Sequence, residues 1–178
     1  MSEVLKREEA TPATYPAAPA GLSDAAAALD ADMIWQRIEA YIAHRWTDRE
    51  VKWTVEGPGE WEPDLTPATI TATEIWQDDA WTATTLTASA LGGYVLPGEG
   101  PYRFTADVGS GSVPAAVSEA FRRLAEYMAE PVDKHGAGRF EVDLGGAIKE
   151  GFDRNPAWVA KSMQLSGAGD LLRPYRRA

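Results

Sequence analysis

His44 and His135 are the only histidines of the chain, and there is no cysteine. Thiolate metal sites and disulfides are therefore excluded, and the two histidines form neither a metal motif nor a catalytic triad. His44 reads as a helix-terminal residue. Serines are plentiful, yet no Gly-x-Ser-x-Gly elbow occurs to expose a nucleophile. The 27 Asp and Glu residues contain no pair that stands apart as an acid–base couple, and most are expected to be solvated. Gly109-Ser110-Gly111-Ser112 precedes a helical pattern, where free N–H groups could hold an anion. It lacks the lysine of a P-loop and the glycine spacing of a dinucleotide site, and reads as a linker. The expectation is a protein without catalysis, cofactor or metal.

What remains is the chemistry of surfaces. Seven tryptophans are present. Trp53, Trp61, Trp76 and Trp81 lie in or beside strand-like segments, and exposed indoles there would stack on sugars, so a carbohydrate-binding module is one reading. Interface anchoring explains them equally well, since Trp and Arg are enriched at binding hot spots. A second surface is the basic tip Arg173, Arg176 and Arg177. On a chain of formal net charge −10, three arginines are too few for strong nucleic-acid binding.

The elements that would position these groups follow from periodicity. The 178 residues are enough for one domain with a real core. No apolar run approaches the roughly 20 residues of a membrane span, and no secretion signal is expected. Residues 1–22 pass into a Pro/Ala/Thr tract that opposes a helix and reads as a flexible arm. Ser23 is an N-cap for an alanine-rich segment. Ile34, Ile38, Tyr41 and Ile42 fall on one stripe of a helix expected from about Asp30 to Arg45. Val51–Val55, Ile70–Trp76, Trp81–Leu86, Tyr94–Leu96 and Tyr102–Val108 read as short strands of a small antiparallel meander, with a turn at Gln77–Ala80. Val117, Phe121, Leu124 and Met128 recur as a core stripe of a second helix opened by Pro114. Residues 132–153 read as a glycine-rich loop with a short strand near Arg139–Val142.

The last stretch reads as one helix from Asn155 to Arg173. Asn155 caps it, Pro156 takes its first position, and Pro174 stops it. Trp158, Ser162, Leu165, Gly169 and Leu172 share one face. Gly167-Ala168-Gly169 is a weak spot that would also let another backbone come close.

Leu165-Ser166-Gly167-Ala168-Gly169-Asp170-Leu171-Leu172-Arg173-Pro174-Tyr175-Arg176-Arg177 resembles the C-terminus of head-tail connector (adaptor) proteins of long-tailed phages and phage-like gene transfer agents. Gly100–Thr105 through Val113–Val117 is similar to that family's last strand, glycine link and second helix. Two departures stand: a Pro/Ala arm where the family often has a leucine-rich helix, and a larger β-insertion.

The resemblance implies a non-enzymatic virion protein assembled in the bacterial cytoplasm. It would be a homo-oligomeric ring, dodecameric if it follows the family, bound to a portal protein and to a downstream neck, stopper or tail component. DNA would pass through the lumen without sequence-specific contacts. The expected fold is α+β: long helices packed together, a small antiparallel β-meander inserted between them, and an extended C-terminal helix. Residues 1–22 would be the arm, 23–153 the connector body and 154–178 the docking helix. Leu171, Leu172 and Tyr175 would anchor in the portal, with Arg173, Arg176 and Arg177 as charged contacts. The alternative is that this helix folds back and completes the protein's own core.

Overall fold

Val51, Trp53 and Val55 are fully buried while Lys52 and Thr54 between them are not, the two-residue period of a strand with one face on a core. In the computed structural model this segment is one strand of a chain that is richer in sheet than in helix. The structure describes residues 2–90, 92–130, 139–143, 149–153 and 161–176. In chain order its elements are β1 (Glu3–Glu9), α1 (Asp24–Ala27), α2 (Ala31–Tyr41), β2 (Arg49–Glu56), β3 (Gly59–Trp61), β4 (Ala68–Gln77) and β5 (Ala80–Ala83). Then follow β6 (Thr87–Ala88), β7 (Tyr94–Leu96), β8 (Tyr102–Val108), α3 (Ala115–Ala129), β9 (Arg139–Asp143), β10 (Lys149–Asp153), α4 (Ser162–Leu165), α5 (Ala168–Leu171) and a 3-10 turn, Arg173–Tyr175.

These elements form two units, each assembled from segments far apart in sequence. One comprises residues 1–16, 42–113 and 175–178, the other 17–41 and 114–174. The first unit is all β. Its five-stranded antiparallel sheet has the order β1-β2-β8-β4-β5, and a three-stranded sheet has the order β3-β7-β6. Trp61 of β3 stacks on Phe104 of β8 with ring centroids 4.0 Å apart, and Trp53, Leu65, Leu96 and Tyr102 complete the same core. The β4–β5 turn carries positive φ at Asp78 (52°) and Asp79 (59°), the backbone that two-residue hairpins require.

The second unit is built on α3. Val117, Ala120, Phe121, Leu124 and Ala125 are buried, and Phe121 packs on Trp35 of α2 at 5.0 Å between centroids. Ile34 and Ile38 are buried on α2, while Met128 is half-buried near the end of α3. The Ser23 hydroxyl accepts from the Ala26 N–H as the N-cap of α1, and the Ser23 N–H and Oγ both donate to the Glu126 carboxylate at 2.7 Å. β9 and β10 pair as an antiparallel hairpin.

The expectation of long helices around a small meander is overturned. Only α3 reaches 15 residues, and the described residues contain ten strands. Four causes account for the difference. First, α2 ends at Tyr41 rather than running to Arg45. The Ala43 N–H donates instead to the Tyr175 carbonyl and the Arg45 N–H to that of Thr66, while Thr66 N–H returns a bond to the Ala43 carbonyl. Ile42 is therefore buried beyond the helix rather than on its stripe. Second, the strands do not follow one another as a meander: β8 lies between β2 and β4, a pairing invisible to local pattern. Third, Glu3–Glu9 is an edge strand registered on β2, inside the segment read as an arm. Fourth, no extended C-terminal helix forms over residues 161–176, for a reason that belongs to the site below.

Candidate docking site at the C-terminal tip

Gly167 breaks the terminal segment. Its φ of +73° is left-handed backbone, which costs an L side chain about 1–2 kcal/mol and glycine almost nothing. Helix α4 therefore stops at Leu165, and α5 starts in a new direction at Ala168. Helix α5 packs on α3. Gly169 is buried, and a Cβ there would sit 3.1 Å from both the Met163 carbonyl and the Tyr41 hydroxyl, so the close approach expected of the small residues is realised within the unit. Asn155, Pro156 and Trp158, the expected start of the helix, lie outside the described residues.

The residues expected to dock divide into two kinds. Leu172 is fully buried, with its N–H bonded to the Ala168 carbonyl at 3.1 Å. It belongs to this protein's own core and is not available as an anchor. Tyr175 is half-buried in the β unit, where its ring meets Trp46 edge-on at 5.8 Å and His44 at 6.1 Å. Burial lowers the pKa of His44 below its ordinary value, and the neighbouring Arg45 charge adds to this; both disfavour the charged imidazolium in this aromatic cluster. Leu171 is half-buried, and Arg173 and Arg176 are exposed. Arg173 meets Asp170 at 3.4 Å with both side chains largely in water, an ion pair worth about 0–1 kcal/mol that leaves the guanidinium open to a partner. Arg177 lies outside the described residues, as does His135.

The tryptophans separate in the same way. Trp35, Trp46, Trp53 and Trp61 are buried. Trp76 is 41% exposed, and it meets the half-buried Trp81 edge to face at 5.3 Å. The Arg103 guanidinium lies 4.5 Å over the Trp81 ring, and two bonds of 2.7 and 2.8 Å tie it to Glu74. The two indoles meet at 66°, with the Arg103 cation on the Trp81 face and Trp76 the more exposed of the two.

One charged cluster was not foreseen. Glu9 at the end of β1 accepts from Arg45 Nε at 2.7 Å and from Arg49 Nη1 at 3.1 Å, and both arginines are about 95% buried. Burial would raise the Glu9 carboxyl, but the Arg45 bond and the charges of Arg45, Arg49 and Arg7 outweigh it and hold the pKa below the usual value. No local signal could reveal this, because the partners are some 36 to 40 residues apart. Among the described residues no three His, Asp or Glu side chains gather as a metal site, and no helix is long and apolar enough to cross a membrane. No protein-family model, curated protein or solved structure matches the chain, so its site has to be read from its own residues.

Proposed function

We propose that this chain is a structural head-tail connector (adaptor) subunit. In this reading it forms a ring that attaches to the portal of a phage-like particle, extends the DNA channel and carries the neck or tail. The observation that carries the proposal is that Arg173, next to the buried Leu172, is exposed at the cationic end of the segment that resembles the connector terminus. This end stands on a chain of net charge −10, which suits it to an acidic partner surface. The resemblance of Leu165–Arg177 to the connector terminus supports the same assignment. So does the acidic balance, because a body poor in clustered cations displaces few counterions and lets DNA pass rather than stick.

The test is charge reversal rather than truncation, since deleting the tail would remove Leu172 from the core. Arg173→Glu with Arg176→Glu is expected to leave thermal stability within about 0.5 kcal/mol. It is also expected to abolish binding to purified portal and to leave DNA-filled heads without tails. Undiminished portal binding by the double variant would overturn the proposal.

A further inference from the structure

The strand β1 is matched to the edge of β2 side chain by side chain. The register sets Val4 opposite Val55, Arg7 opposite Trp53 and Glu9 opposite Val51. Directly opposed residues share a face, so all three lie on the side where Val51, Trp53 and Val55 are buried. Inward-pointing charges usually keep a strand from being accepted at a sheet edge. Here each charge has a partner. Arg7 Nη1 donates to Asp64, whose other oxygen accepts from the Trp53 indole at 2.6 Å. Glu9 takes the two buried guanidiniums of Arg45 and Arg49. The Ser2 hydroxyl donates to the Glu60 carbonyl at the other end of the strand. The edge of β2 therefore reads the sequence Arg-x-Glu at residues 7–9, because a strand without the glutamate would leave Arg45 and Arg49 without the carboxylate between them. The outer edge of β1 has a bulge between Val4 and Lys6 and the exposed charges of Lys6 and Glu8, features that keep a further strand off.

The connection decides where such a strand can come from. Residues 1–16 belong to the β unit, but residues 17–41, which follow them, belong to the helical unit. The covalent route from β1 to its own β2 thus runs through the other unit. It leaves β1 by residues 10–22, which form neither helix nor strand and include Pro12, Pro16 and Pro19. Extended at about 3.1 Å per residue, that tract reaches roughly 40 Å, more than the diameter of a small domain. The same strand from a second copy satisfies every bond named above, since exchange alters the connection and not the contact. Copies of charge −10 repel across any new face, whereas this contact is already complementary.

We propose that the edge of β2 is a strand-recognition site and that, in an assembled ring, residues 1–16 of each copy fill the site of the next. In isolation the strand fills its own copy's site. Gathered on a portal, neighbouring copies meet at high effective concentration and the strands exchange. Each copy gives its strand to one neighbour and receives one from the other, a head-to-tail link that closes into a ring. The inference rests on the reading of the chain as a ring subunit and supplies the contact that joins its copies.

Glu8 and Lys52 are opposed on the outward face of this ladder, and the chain has no cysteine of its own. Full-length Glu8→Cys and Lys52→Cys variants are made separately, the second enlarged by a tag, then mixed and oxidised with and without portal. The expected result on non-reducing gels is a mixed dimer with portal and monomers without it. The double variant should close an internal disulfide alone and give a ladder of multimers on portal. Adding Glu9→Arg to the Glu8→Cys variant should remove the mixed dimer, because it sets a third cation beside Arg45 and Arg49. A mixed dimer that survives Glu9→Arg comes from collision and overturns the proposal, as does the absence of mixed dimer under both conditions. Rings on portal whose double variant gives only the internal disulfide would sink the exchange and keep the connector reading. Glu9-dependent mixed dimers from protein that binds no portal would do the reverse.

Discussion

Leu172 shows how far a residue's type underdetermines its role. A leucine beside arginines near the end of a chain reads as an anchor for a partner, yet here it is fully buried in its own protein. Leu172→Ala is expected to destabilise the fold by about 2–5 kcal/mol, the usual cost of a buried leucine with its cavity. Thermal or urea unfolding checks this, and a loss below about 1 kcal/mol would mean the side chain is free for docking. Glu9 makes a second case, in which pH is the probe. Its folded pKa lies below the ordinary 4.5, so the stability it contributes is fully present above that value and is lost as pH falls through the lower folded one. The unfolding midpoint of the native protein should therefore drop on acidification from about pH 6 to pH 3. Glu9→Gln should flatten that part of the profile. At neutral pH it should cost about 3–5 kcal/mol by leaving two buried guanidiniums without their carboxylate. Parallel profiles for the two proteins would refute the role of Glu9.

At the scale of elements, one backbone angle decides whether the terminal segment is a rod or a set of turns. Gly167 at φ +73° ends α4 and redirects the chain, so Gly167→Ala is expected to destabilise by about 1–2 kcal/mol. Space is not the obstacle, since a Cβ there would meet only the flexible end of Arg123 at 3.4 Å. If Gly167→Ala stabilises the protein and raises helical circular dichroism, the segment is a continuous helix in solution and the break is wrong. The contrast with α3 is instructive. Its stripe of Val117, Phe121 and Leu124 has no residue that needs a special dihedral, and it forms the one long helix of the described residues.

At the scale of the whole molecule, net charge acts against self-association, because copies that each carry −10 repel one another. This repulsion leads us to expect a monomer or loose oligomer in isolation and a ring only on a partner template. Light scattering at moderate salt measures this directly. A stable large ring formed without any partner would remove the templating step while leaving the connector reading in place.

Much of the local structure was determined by the sequence itself. The strand at Val51–Val55 follows from a two-residue alternation, the one at Ile70–Trp76 from its richness in β-formers, and the core face of α3 from a helical period, because propensity and the burial of one face are local demands. The turn at Asp78-Asp79 and the Ser23 cap are likewise local. Only the tertiary structure decided that β8 lies between β2 and β4, that Glu3–Glu9 is a strand on β2, and that α2 stops at Tyr41 where the Ala43 N–H finds the Tyr175 carbonyl. The tip divides along the same line: the sequence marked Arg173 and Arg176 as its charged ends, and packing decided that Leu172 belongs to the core. Backbone groups and apolar side chains are satisfied by whichever partner the fold brings near, and when that partner is tens of residues away no window on the sequence contains both.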